Sequence, residues 1–145
     1  MPSRLAVALF GLSCSPLAAA QIATYGDLKA QNAQQVSGAE LRAMLPGAHV
    51  VNRTSGGSVR NWTNNPDGTF IASSDGRGTS GSGRYTPSTG RGTWRVDDQG
   101  RLCVTIQWPR SPDDWCRMIY KAGGKYYGVG RTDDSATTME FEFTR

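Results

Sequence analysis

Residues 92–108 read Gly-Thr-Trp-Arg-Val-Asp-Asp-Gln-Gly-Arg-Leu-Cys-Val-Thr-Ile-Gln-Trp, and this stretch decides the fold. Trp94 and Val96 alternate with Thr93 and Arg95. Leu102, Val104, Ile106 and Trp108 alternate with Cys103, Thr105 and Gln107. Each half therefore has the period of two that a half-buried strand requires. Between them lies Asp97-Asp98-Gln99-Gly100, in which Asp can bond nearby backbone amides and Gly tolerates positive φ. Two amphipathic strands joined by so short a turn predict an antiparallel hairpin.

Outward from this hairpin the same grammar repeats. Strands are predicted around His49 to Arg53, Ser58 to Thr63, Thr69 to Ser73, Gly92 to Val96, Leu102 to Trp108, Cys116 to Tyr120, Tyr126 to Val129 and Met139 to Thr144. Asn64-Asn65-Pro66-Asp67-Gly68 and Ala122-Gly123-Gly124-Lys125 supply two further turns. A meander of about eight such strands closes naturally into a small lipocalin-like barrel, which abolishes its exposed edges. The expected fold is therefore mainly β, with an open sheet against a helix as the other arrangement the pattern allows. That helix is short. Ser37-Gly38-Ala39-Glu40 forms a capping-box pattern, Leu41, Met44 and Leu45 follow at helical spacing, and Pro46-Gly47 ends the run, so it spans about Gly38 to Leu45. Residues 21–36, rich in Gln and Ala, read as a leader or a loosely attached helix, and residues 37–145 as a single domain.

The first twenty residues have a different character. Arg4 precedes the apolar run Leu5 to Leu12, and Ala18-Ala19-Ala20 offers a small-residue cleavage site, the pattern of a signal peptide cut after Ala20. That run is too short to span a membrane, and no transmembrane segment is expected. A periplasmic or secreted location follows. Cys14 leaves with the signal, although a cysteine there also raises the alternative of lipidation. Cys103 and Cys116 remain, and in an oxidising compartment they are expected to form one disulfide. If Pro109-Arg110 makes a tight turn, the two cysteines lie opposite each other. If Ser111-Pro112-Asp113-Asp114 makes a helical turn, they fall out of register and a hairpin cannot bridge them. The first arrangement is preferred.

Charge excludes some partners. Removal of residues 1–20 leaves fifteen basic against twelve acidic residues, a net +3, and the arginines are spread along the chain with acids between them. This is not the stripe that nucleic acid requires. No cofactor or metal is expected either, because His49 is the only histidine and the cysteines lack C-x-x-C spacing. His49 is also the only neutral-pH base, so a hydrolase built on it is a minor alternative to a non-enzymatic protein. Asp97-Asp98, Asp113-Asp114 and Asp133-Asp134 read as turn residues rather than calcium ligands. Two features point to binding. From Gly76 to Gly92 a long loop sets Arg77, Arg84 and Arg91 among glycines, a combination suited to an anion. Tyr85 and Trp94, among many aromatics, suit a small-ligand pocket or an interface.

Three resemblances extend this reading. The succession of a short helix, a P-D-G-T-F hairpin, Gly92-Thr93-Trp94, Leu102-Cys103 and Cys116 before an aromatic strand looks like small exported proteobacterial proteins classed as a domain of unknown function. That resemblance implies export, a disulfide and a β-rich fold. Gly92-Thr93-Trp94 is similar to the G-x-W of lipocalins and avidin-like barrels, in which the tryptophan closes one end of the barrel. The segment Ser80 to Tyr85 resembles the Ser-Gly-to-Tyr loop that periplasmic inhibitors of c-type lysozyme present to the enzyme, which implies a contact through Ser82 and Tyr85. The expectation is thus an exported binding protein for an envelope component, an anionic group or a small ligand, with Arg77, Arg84, Tyr85, Arg91 and Trp94 as candidate contacts. Inhibition of a cell-wall hydrolase is the alternative.

Overall fold

The computed structural model describes residues 20–78 and 85–145. The expected signal segment up to residue 19, with Cys14, lies outside the described residues, as do Ser80, Ser82 and Arg84 of the Gly-Arg loop. The elements are α1 (Tyr25–Ala30), β1 (Gln34–Gln35), α2 (Gly38–Met44), β2 (His49–Arg53), β3 (Val59–Thr63), β4 (Thr69–Ser74), β5 (Ser88–Val96), β6 (Leu102–Gln107), β7 (Pro112–Ala122), β8 (Lys125–Val129) and β9 (Thr138–Thr144). From β2 onward each strand pairs antiparallel with the next, and β9 returns to β2, so the meander is a closed eight-stranded barrel. The additional strand β1 lies on β7, with Gln34 opposite Lys121 and Gln35 opposite Tyr120.

Two strands start four residues earlier than their sequences suggest. β5 begins at Ser88 rather than Gly92, which shortens the expected Gly-Arg loop and places Arg91 on a strand. Gly90 and Gly92 face inward: a Cβ on Gly92 would run into the Phe70 ring, and one on Gly90 would meet Ile106 and Trp108. Neighbouring side chains fill the space, so the early part of this strand carries no apolar alternation. β7 begins at Pro112 rather than Cys116. Proline is tolerated as the first residue of a strand. The longer β7 settles the β6–β7 connection, because Cys103 stands opposite Cys116 and the two are bonded in a disulfide. The hairpin version of this connection is the one adopted, and no helical turn forms at Ser111.

Both helices start on capping boxes. In α2 the Ser37 hydroxyl accepts from the Glu40 amide, and the Glu40 carboxylate accepts from the Ser37 amide. In α1, Thr24 and Asp27 exchange the same pair of bonds, a signal that the reading of residues 21–36 passed over. Leu28 of α1 is fully buried against Ala122, Tyr127 and Val129, on the outside of the barrel wall.

The two ends of the barrel differ. Leu41 of α2 and the following Leu45 are buried in one core with Val50, Trp62, Phe70, Leu102 and Ile119, so α2 plugs one end. Trp62 and Phe70 stack there with ring centres 4.9 Å apart. The turns at this end fasten the plug: Asn64 Nδ2 donates to the Leu45 carbonyl at 3.1 Å, and Arg42 Nη2 donates to the Asp97 carbonyl at 2.9 Å. Because a meander alternates its connections, the β2–β3, β4–β5, β6–β7 and β8–β9 connections lie at the opposite end. This loop end has no helix packed across it among the described residues.

Candidate functional site

Side chains two apart on a strand share a face, so the inward-pointing set can be read from the core residues. On β2 the face of Val50 carries Asn52, and on β3 the face of Trp62 carries Arg60. On β7 the face of Ile119 carries Arg117, Trp115 and Asp113. Register ties them together, since Asn52 stands opposite Arg60 on one side and Phe141 on the other. The Phe141 ring lies 5.9 Å from that of Trp115. The inner wall is thus apolar beside α2 and turns polar toward the loops.

Arg60 reaches across the barrel to β7, where its Nη1 lies 2.6 Å from Asp113 Oδ2. The same oxygen accepts from Trp108 Nε1 at 2.9 Å, and the Arg60 guanidinium lies 5.4 Å from the centre of the Trp108 ring. One carboxylate therefore serves both the arginine and the indole. Asp113 is not the turn residue that its doublet suggests; it lies within β7 and its charge is matched by Arg60.

Arg117 has no such match. Among the described residues it has no ion pair and no hydrogen bond, only the Trp115 ring, 5.9 Å from its guanidinium. Desolvation lowers its pKa, which marks the cation as unfavourably placed. Its position is nonetheless built. Gly128 leaves room for its stem, and Gly130 for its guanidinium: a Cβ at either glycine would come within 3.2 Å of the Arg117 side chain.

Among the described residues, four buried side-chain atoms lack a hydrogen-bond partner: Asn52 Oδ1, Arg60 Nε, Trp115 Nε1 and Arg117 Nε. All four belong to these inner faces. Leaving one such group unmade costs about 1–3 kcal/mol, so buried polar atoms are nearly always satisfied. These four leave three donors and one acceptor unmatched on the inner wall. Arg60, Arg117 and Asn52 are absent from the sequence-derived candidates, Trp115 enters there only as one of many aromatics, and Asp113 only as a turn residue.

The candidates named from sequence are scattered. Arg77 pairs with Asp75 at 3.6 Å and lies 5.2 Å from the centre of the Tyr85 ring, and Tyr85 is 59% exposed. Both sit on the β4–β5 connection, at the loop end. Arg91 stands on the outer face of β5, where an open groove of about 430 Å³ is lined by Ile71, Thr89, Gly90, Arg91 and Gln107. A neighbouring groove of about 380 Å³ includes His49, Asn61 and Thr63, and His49 Nδ1 lies 3.4 Å from the Thr63 hydroxyl. Trp94 fastens the α2 end, where its Nε1 donates to the Asn65 carbonyl at 2.9 Å. Asp97 gathers with Cys103 and Cys116, yet both sulfurs are committed to the disulfide and offer no thiolate to a metal.

These features define a small closed antiparallel β-barrel, plugged by a helix at one end and lined with unmatched polar atoms toward the other. The family model described as "Protein of unknown function (DUF995)" matches residues 13–127, and the chain belongs to that family. No curated protein and no solved structure matches it.

Proposed function

We propose that this is an exported, non-catalytic binding protein that admits a small anionic ligand into the loop end of its barrel. The observation that carries the reading is the set of four unpartnered buried polar atoms on the inner wall, three of them N–H donors. Barrels of eight strands have room for side chains or one small ligand, and the mouth is where such ligands enter. Export is supported by the leader and by a disulfide, which persists in oxidising compartments. The absence of catalysis is supported by Asp113 being engaged by Arg60 and Trp108, and by His49 lying at the α2 end of its strand. Among the described residues, no helix is long and apolar enough to cross a membrane.

The test is native mass spectrometry of the unreduced, exported protein beside its Arg117→Gln variant. A small molecule retained by the first and lost from the second is expected. An empty wild-type barrel whose tryptophan fluorescence answers no small anion would overturn the reading. A second reading, inhibition of a cell-wall hydrolase, is favoured by one observation: Tyr85 is exposed at the loop end against Arg77. Lysozyme assayed with the wild-type protein and with Tyr85→Ala decides it, and equal lysis with either protein or with none sinks it.

A further inference from the structure

The charge balance on the inner wall narrows the ligand further, and the argument rests on the binding reading above. Two arginines face inward toward the loop end. Arg60 is neutralised by Asp113, whereas Arg117 is uncompensated among the described residues. A ligand that completes this wall brings one negative charge. A phosphate monoester brings nearly two and has three equivalent acceptor oxygens, more than one guanidinium and one indole can match. An ammonium would face Arg117 with like charge.

Geometry agrees with charge. The unpaired donor of Arg117 is Nε, the side-on edge of the guanidinium, which together with an adjacent Nη presents two parallel N–H groups. A planar carboxylate matches that fork with its two oxygens. Trp115 Nε1 is a further unpaired donor, on the residue whose ring lies against Arg117. Both residues are half-buried although these two N–H groups are themselves shielded from solvent, and Gly128 and Gly130 leave room for the arginine. We infer that Arg117 and Trp115 form a subsite for a monocarboxylate, the carboxylate taking the side-on edge of Arg117 and the indole N–H of Trp115.

Acetate is the probe, because it carries the recognised group and almost nothing else. It is titrated into the full ¹⁵N-labelled protein at constant ionic strength, with the Trp115 Nε1–H and Arg117 Nε–H resonances observed. Inorganic phosphate and methylammonium are titrated in parallel. Acetate is expected to move both resonances along a saturating curve, phosphate to need at least tenfold more, and methylammonium to move neither. Arg117→Gln should abolish the acetate response while the remaining barrel resonances stay dispersed, and Arg117→Lys should keep a weakened response without the side-on fork. If that lysine variant binds acetate as tightly as arginine does, the side-on assignment is wrong. Saturation by phosphate but not acetate, lost in Arg117→Gln, would overturn the carboxylate inference and leave the anion-binding reading standing. Resonances that no anion moves would overturn both.

Discussion

The plugged end and the loop end of the barrel are made by the same strands, and they treat the same residue types differently. Beside α2, Trp62 Nε1 donates to Asn64 Oδ1 at 2.8 Å, Asn64 Nδ2 donates to Leu45, and Trp94 Nε1 donates to Asn65. A few residues away on the inner wall, the indole of Trp115, the amide oxygen of Asn52 and the Nε of two arginines are left unmatched. One end is satisfied in every polar contact that secures it; the other holds polar groups that weaken the fold. Sites that break local rules in this way are where proteins trade stability for function.

The contrast can be broken at several points, and the largest effect belongs to the plug. Phe70→Ala removes the ring stacked on Trp62 and should cost about 3–5 kcal/mol in urea unfolding. A loss below about 1 kcal/mol would mean that the plugged end is not the stabilising one. Replacing Cys103 and Cys116 together with serine should cost about 3 kcal/mol by the same measurement, with the acetate response retained, since the disulfide lies on the outer face. Arg117→Met should act in the opposite sense. It removes a half-buried, unpaired cation, so the melting temperature is expected to rise slightly while ligand binding is lost. Destabilisation by that variant would show that Arg117 is structural. Ser37→Ala takes away the cap of α2 and should cost about 1 kcal/mol with binding unchanged.

The smallest effect is a pH dependence confined to caps and turns. The Ser37 amide holds the Glu40 carboxyl below its ordinary value, the Ala23 amide does the same for Asp27, and the Arg101 amide for Asp97. A carboxyl whose pKa is lowered on folding adds stability that is complete above its unfolded pKa and disappears as pH falls through the folded one. Melting temperatures should therefore be flat above about pH 5 and decline below about pH 4. Glu40→Gln should remove part of that decline; an identical decline in the variant would assign it to other groups.

Most of the fold was legible because the turns announce themselves. Asn64 to Gly68 and Asp97 to Gly100 fall between strands with clear alternation, and the capping box at Ser37 locates α2. The early part of β5 was hidden because its inward positions are the glycines Gly90 and Gly92, whose apolar complement is supplied by Phe70, Ile106 and Trp108. The loop-end site was hidden for a related reason. Arg60 is two residues from Trp62, and Arg117 is two from both Trp115 and Ile119. That spacing puts a charge on an inward face, which is itself the signal. Reading β7 from Cys116 removed Asp113 and Trp115 from the pattern, and attention to exposed glycine-flanked arginines then favoured the outside of the molecule. Nothing in one strand's sequence shows that Arg60 and Asp113, on strands that do not pair, meet across the barrel.

The order of the strands also bears on how the chain comes together. Seven of the eight seams join consecutive strands and are local, whereas the seam between β2 and β9 places His49 opposite Thr144. Local hairpins can form early and independently, but that last pairing must close nearly the whole chain into a loop. Until it does, both β2 and β9 present free edges, and Phe141 and Phe143 lack their partners Asn52 and Val50. The slowest step of folding and the window for aggregation thus coincide at one seam, between the first and last strands of the ring.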